Sequence, residues 1–498
     1  MLSTRLCLVL AGCAAVSLTF LQCVGDSPTV GASGAADGGG DGGSDAGPST
    51  TTDGSGPGPM ADAGDAGVVL PLLQDAVSVA AGRAHTCAIT AAQDVLCWGS
   101  NSAGQLGVPT AQYPRSSQPL KVDLGGSKAS AIAAGANHTC AVAVDGKIMC
   151  WGDNQRGQLG RGTLVATGTV AVVSPPSANV ALWTTAEVIT AGAAFTCAGM
   201  KDTAGGSGLP FRRFFCWGEN VDRQSGTEST NGQPTALPSL ITLSGNDSSP
   251  ALEGFGISAG DNFACAGLYA GAGAAFFSVV GCWGSRSVGQ IGAPPAAGYY
   301  VGPDKYPSRL ADGGTKPLFG LFKDGLLATG AAHGCARIEQ SGVTPPVLDC
   351  WGNNTHGQVG AAQLGFLPVT DVAGYDATDV TALAAGGKTT CVIDNGQAKC
   401  VGANDVGQLG QGTLDATPHP TFANVAQLPN SASALSVGAN HACAVLGAAA
   451  GQKGKLACWG QNDNGQLGDG LDLDKGYPGA PMGEAHVRKA PVMVLAPK

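Results

Sequence analysis

One stretch recurs seven times between residues 77 and 498, and this recurrence constrains the fold more than any other feature. Its clearest copy, residues 134–160, reads AGANHTCAVAVDGKIMCWGDNQRGQLG. Ala-Gly is followed by a His position, a Cys, an apolar hairpin, Cys-Trp-Gly and Gly-Gln-Leu-Gly. The leading cysteines are Cys87, Cys140, Cys197, Cys265, Cys335, Cys391 and Cys443, spaced 52 to 70 residues apart. The trailing ones are Cys97, Cys150, Cys216, Cys282, Cys350, Cys400 and Cys458. A fixed unit at such a period marks a propeller, solenoid or array, in which one unit cannot bury its own faces and needs its neighbours.

The unit itself reads as a hairpin. Asp145-Gly146 separates two apolar runs, and Gly146 supplies the positive φ of a three-residue loop. Asn395-Gly396 fits a two-residue type I′ turn. Counting outward from either turn brings the two cysteines opposite each other at a non-hydrogen-bonded position. Cα atoms there approach to about 4.5 Å, close enough for a disulfide. Seven cystines are therefore expected, each within one repeat: 87–97, 140–150, 197–216, 265–282, 335–350, 391–400 and 443–458. The alternative use of paired cysteines is zinc, but the members of a pair stand nine to nineteen positions apart rather than two to four.

The motifs Ala81 to Ala88 (AGRAHTCA), Cys150 to Asn154 (CWGDN) and Gly157 to Gly160 (GQLG) resemble the regulator-of-chromosome-condensation (RCC1-like) repeat family. The resemblance covers about 77–498. It implies an all-β chain, a seven-bladed β-propeller of four-stranded blades. The repeats depart from the pattern locally. Repeat three has Arg223-Gln224-Ser225-Gly226 for Gly-Gln-Leu-Gly, repeat four has Arg286 for Asn, and repeat six has Val401 for Trp. Phe195, Phe263 and Thr389 occupy the His position in repeats three, four and six.

Residues 1–23 read as an export signal: Arg5 precedes an almost wholly apolar run over 6–22. Cys23 is the expected lipidated residue of a lipoprotein, with Cys13 in Leu10-Ala11-Gly12-Cys13 as the alternative. Cleavage at Cys23 leaves, besides the lipidated residue itself, fourteen cysteines, all of them in pairs. A plain cleaved signal is the remaining reading. Residues 24–68 are rich in Gly, Asp, Ala and Ser and hold too little apolar surface to fold, so a disordered linker is expected, with the propeller over 69–498. Eight Asp and no Lys or Arg lie between Arg5 and Arg83. Most of the chain's net charge of −10 therefore sits ahead of the propeller, which is left nearly neutral and without bulk attraction for nucleic acid.

Low charge (12% of residues) and 79 glycines suit many short strands. Fourteen paired cysteines argue for an oxidising compartment, in agreement with the export signal. Each unit opens with a short apolar strand such as 77–81 and ends in a Pro-containing stretch such as 491–495. Pairing these two end segments within one blade would close the ring.

Several motifs imitate active sites. Gly256-Ile257-Ser258-Ala259-Gly260 matches the nucleophile elbow, but it is the opening strand of repeat four. Gly387-Lys388-Thr389 imitates the end of a phosphate-binding loop, yet it is the repeat-six copy of the His segment. His85, His138, His333 and His441 share one repeat position and could meet near an axis to hold a metal. The phenylalanines at the same position favour packing. Asp469, Asp472 and Asp474 read as an acidic loop, and Gln105 with its six counterparts as turn residues whose amides bond backbone.

No hydrolytic, redox or group-transfer constellation emerges, and neither cofactor nor metal is expected. The chain reads as a non-enzymatic binding protein, exported and anchored to the envelope by lipid alone. It would sit at the outer membrane, the cell surface or in the periplasm, or be secreted, as a monomer that captures a protein or glycan. The family resemblance adds two alternatives: a secreted inhibitor of an enzyme such as a β-lactamase, and a guanine-nucleotide exchange factor. Long hairpins in repeats three to five and the connections 227–256 and 293–325 carry the candidate binding residues Phe211, Arg212, Arg213, Phe276, Phe277, Tyr299 and Tyr300.

Overall fold

The structure, a computed structural model, describes residues 71–201, 212–226, 233–241, 253–270, 277–292, 299–300, 308–311, 314–317, 326–339, 346–372, 375–447, 454–471, 473–476 and 484–497. The description of the fold rests on these. Apart from one 3₁₀ turn at Val180–Leu182, the regular elements are β-strands. Seven antiparallel meanders of four strands follow one another over 76–121, 129–172, 186–240, 253–300, 327–371, 380–424 and 432–493. In blade 1 the strands are Ala76–Ala81, His85–Thr90, Val95–Ser100 and Arg115–Lys121, paired in that order.

Blades 3 and 4 are joined into one eight-stranded sheet. Arg212 and Arg213, at the start of the third strand of blade 3, pair with Gly254 and Glu253 at the start of blade 4. A separate two-stranded ribbon, Ser308–Ala311 with Gly314–Pro317, lies in the connection from blade 4 to blade 5.

The sequence pattern follows from the stacking of blades. The second strand is covered on both faces, so His85–Thr90 and His441–Leu446 are buried at every position. These strands therefore read as unbroken small and apolar runs rather than alternating ones. The outer fourth strand carries Pro and charge, as in Arg115–Lys121, which suits a sheet edge.

Inside each blade, leading and trailing cysteines stand directly opposite, for example Cys140 with Cys150 and Cys391 with Cys400. All seven within-repeat pairs are disulfides with Cα–Cα distances of 4.1 Å. The turns have the conformations their residues dictate. Gly146 lies at φ 82°, and Asn395 and Gly396 lie at 50° and 74°.

Ring closure differs from the sequence expectation. Strand 76–81 and strand 487–493 do not share a blade; each belongs to a complete four-stranded sheet of its own. The chain ends meet just outside these sheets. Leu72 bridges Leu495, Leu73 N–H donates to the Val494 carbonyl, and Ala496 N–H donates to the Pro71 carbonyl. The repeat already supplies four strands per blade, so closure is left to this short pairing and to the contacts between blades 7 and 1.

Candidate binding surfaces

Two ends of the propeller are available to a partner. At one, here the hairpin face, the tips between second and third strands lie beside the connections between blades, as Ala129 N–H donating to the Gln93 carbonyl shows. At the other, the turn face, the turn between first and second strands lies beside the long loop after the third. Ser100 N–H there donates to the Ala84 carbonyl.

Between the faces, the repeat residues are engaged with one another. Gln105 accepts the Ala103 N–H on its side-chain oxygen at 2.8 Å, and Gln158, Gln224, Gln290, Gln358, Gln408 and Gln466 repeat this bond. The Asn of Cys-Trp-Gly-x-Asn accepts the N–H five residues on, as in Leu106 to Asn101 at 3.0 Å. Arg223-Gln224-Ser225-Gly226 keeps both bonds, because the Gln and Asn220 are retained.

The carbonyl of each Gln then reaches the next blade. Trp151 Nε1–H and the Thr139 hydroxyl both donate to the Gln105 carbonyl at 2.9 Å. The same Thr oxygen lies 2.9 Å from His85 Nε2. Since the hydroxyl proton goes to the carbonyl, His85 must be the donor, a neutral imidazole protonated on Nε2. Equivalent His–Thr latches join His138 to Thr196, His333 to Thr390 and His441 to Thr86. The four rings are fully buried, and each Nδ1 has no hydrogen-bond partner. Burial pushes the pKa of His138 and His333 down to about 4. His85 and His441 fall to about 3, with a neighbouring latch histidine as the lesser cause. The shared His position is therefore a latch between blades.

The decoys resolve in the same way. The Ser258 hydroxyl lies 2.8 Å from that of Thr329 and accepts the Thr329 N–H, so it stitches blade 4 to blade 5. Val401 leaves the seam between blades 5 and 6 without a tryptophan, and Thr390 alone of the pair donates to the Gln358 carbonyl.

Around the axis, the glycine closing the first strand of each blade, preceded by Ala in five blades, Thr329 in blade 5 and Val437 in blade 7, forms a collar around a bore of about 110 Å³. Backbone bonds tie neighbouring turns, as in Ala136 N–H to the Ala193 carbonyl and Ala439 N–H to the Gly82 carbonyl. Glycine is required here because a Cβ on Gly135 would stand 2.6 Å from the Gly192 carbonyl oxygen. On the turn face the bore opens into a cavity of about 360 Å³, lined among others by Arg83, Asn137, Asp153, Arg156, Glu219 and Asp261. Sequence reasoning passed over these residues. Their signal was available, since Arg83 and Asp261 occupy the variable position just after the collar glycine. By surface area Asp261 is exposed, although the channel wall crowds it; that crowding raises its pKa and Arg83 lowers it.

The structure does not gather the candidate binding residues into one place. Arg212 and Arg213 follow the hairpin tip of blade 3, and Phe277 opens the third strand of blade 4 at the same end. Tyr299 and Tyr300 pair with Ser285 and Gly284, at the turn-face end of blade 4. Arg212 is tied into the fold, 2.9 Å from Glu187 and donating to the Phe255 carbonyl. Phe211, Phe276, Cys13, Cys23 and the linker over 24–68 lie outside the described residues.

Seven four-stranded blades latched in a ring define a repeat β-propeller. Comparison with known proteins agrees. Profiles of the Regulator of chromosome condensation (RCC1) repeat match residues 76–105 and 129–158, and residues 94–142. Residues 76–158 therefore carry RCC1-like repeats. The human probable E3 ubiquitin-protein ligase HERC4 is 40% identical over 84 residues, 17% of this chain but only 8% of that protein. The Regulator of chromosome condensation of Drosophila melanogaster is 36% identical over 80 residues, 16% of this chain and 14% of that one. The crystal structure of Prp20p from Saccharomyces cerevisiae, described with its binding to Gsp1p and histones, superposes with a TM-score of 0.60 at 17% identity. It covers 86% of this chain and 88% of that one, a likeness of fold.

Proposed function

We propose that this chain is an exported, non-enzymatic binding protein, tethered to the cell envelope through a lipid on Cys23 or, failing that, Cys13. The observation that carries the reading is that the repeat residues are buried and bonded within and between blades. Cystines, tryptophans, glutamines and latch histidines all serve the scaffold, so recognition falls to the segments that differ between blades. An RCC1-like propeller supports protein–protein interaction in general. Seven buried cystines suit an oxidising compartment, which favours an exported partner over a GTPase of the cytosol or nucleus. Among the described residues no helix is long and apolar enough to cross a membrane.

The docking surface in this reading comprises the inserted hairpins of blades 3 to 5, with Arg213 and Phe277 at their described margins. Replacing 203–210 and 270–275 by Asn-Gly turns leaves the fold intact, because loop length costs little stability. The same change weakens capture of the envelope partner by at least about tenfold, or roughly 1.4 kcal/mol. Unchanged affinity in a folded double truncation removes these hairpins from the binding surface.

A further inference from the structure

The turn face carries a second set of features that the scaffold does not use. Exposed apolar side chains stand on its loops in four consecutive blades: Leu164 and Val165 in blade 2, Val221 in blade 3, Val288 in blade 4 and Leu364 in blade 5. Val165 is 71% exposed and Val221 53%; Val77, Val144, Val172 and Val180 are exposed away from these loops, in blades 1 and 2 and the connection that follows. Of these loops, those of blades 2 and 3 reach the mouth cavity, through Asp153, Gln155, Arg156 and Glu219. Its wall is small, with Ala136, Ala193 and Ala194, and its floor is the narrow bore, so a thin extended group fits where a ring does not.

The charges select the sign of that group. Arg156 Nε lies 3.5 Å from Glu219 Oε1, which neutralises one pair. Asp153 is held in place by accepting the Gln155 N–H at 3.0 Å, and it makes no ion pair among the described residues. Asp261 likewise has no ion pair and feels Arg83 only at a distance. Two carboxylates against one guanidinium remain, in a concave site where field lines concentrate. The chain ends bear on access. Pro71 and Ala496 pair beside the hairpin tip of blade 7, where Ala76 N–H donates to the Gly454 carbonyl. The described chain therefore begins, at Pro71, on the hairpin side of the propeller.

We propose that the turn face is a docking surface for a protein loop that presents one lysine between apolar residues. The lysine ammonium enters the mouth and is held by Asp153 and Asp261, and the flanking apolar side chains cover Val165 and Val221. This surface is separate from the hairpin insertions, about 20 Å away along strands of five or six residues. Either can fail without the other.

The test uses three fluorescein-labelled peptides, Ser-Leu-Lys-Leu-Ser and its Gln and Glu counterparts, all capped, with the full chain and anisotropy as the readout. The Lys peptide binds at least tenfold more tightly than the Gln peptide, and the difference shrinks between 20 mM and 300 mM salt. Asp153→Asn/Asp261→Asn, which keeps the acceptor for the Gln155 N–H, abolishes the difference, while Arg83→Ala widens it. Val165→Ser/Val221→Ser weakens all three peptides alike. Circular dichroism and Tm confirm that each variant is folded. Equal binding of the Lys and Gln peptides, indifference to the Asp substitutions, preference for the Glu peptide or no binding by any of the three overturns the proposal.

Discussion

Mild acid should open this protein, and the reason lies in the four latches. Each latch histidine is neutral, donates from Nε2 and has a buried Nδ1 with no partner, so a second proton would meet no acceptor. Burial holds the native pKa values at about 3 to about 4. In the unfolded chain they return to about 6.5. The native pKa is the lower one, so the unfolded state binds more protons and stability is lost as pH falls from about 6.5 towards the native values. At pH 5 each histidine costs about 2 kcal/mol, from 1.36 kcal/mol per unit over about 1.5 units. Four together remove about 8 kcal/mol, comparable with the whole stability of many domains. This figure does not depend on whether a native value is 3 or 4, since both lie below the working pH. The exposed carboxylates held low by lysines, Asp94 and Asp145, titrate below this window. Asp222, raised by burial, acts with the opposite sign. Urea unfolding with the cystines intact, followed from pH 7.5 to 5, should show a slope near pH 5 of about 5 kcal/mol per unit. His85→Phe/Thr139→Ala reproduces the Phe195 and Ala264 pair found between blades 3 and 4. It should lower the slope by about a quarter. Stability constant to within about 1 kcal/mol from pH 7 to 5 would refute the reasoning.

Three further outcomes follow from the same geometry. Trp151→Phe removes the Nε1–H bond to the Gln105 carbonyl and should cost about 1–2 kcal/mol, whereas Trp151→Ala should cost about 3–5 kcal/mol, both read by denaturant midpoints. Gly135→Ala drives a methyl into the buried His138 ring and to 2.6 Å from the Gly192 carbonyl oxygen, and should lower Tm by several degrees; a neutral result would show that the latch ring and the collar can both give way. Metabolic labelling with a palmitate analogue should mark wild type and Cys13→Ser but not Cys23→Ser; absence of label in wild type excludes both anchors.

The sequence carried the blades well because their determinants are local. Hairpin register, the turns at Gly146 and Asn395-Gly396, and the facing cysteines follow from counting outward within about twenty residues. The turn role of Gln105 was legible for the same reason. What escaped were relations between repeats. The imidazole, hydroxyl, indole and carbonyl of one latch come from adjacent units, and spacing alone does not say which faces which. Closure was misplaced because four strands per blade leave no strand to exchange. Tyr299 and Arg212 were grouped by neighbouring blades, but a propeller has two ends, and counting along the chain does not assign a loop to either until the strands are placed.

The latches also set an order of assembly. Six seams join blades adjacent in sequence; His85 and Thr139, for example, lie 54 residues apart. The seam between blades 7 and 1 joins residues 355 to 380 apart, through Thr86 with His441 and with the Gln466 carbonyl. Closing a loop of that length costs roughly 1.7 kcal/mol more in chain entropy than closing a local one. A chain emerging N-terminus first can therefore zip blade onto blade, each Gln carbonyl waiting for the Thr or Trp of its successor. Blade 1 must hold Thr86 and Trp98 without their acceptor until the last blade arrives. A chain interrupted before blade 7 would be a stack of finished sheets with two raw flanks, the Gln408 carbonyl of blade 6 at one and Thr86 and Trp98 of blade 1 at the other, a species for a chaperone or protease to recognise.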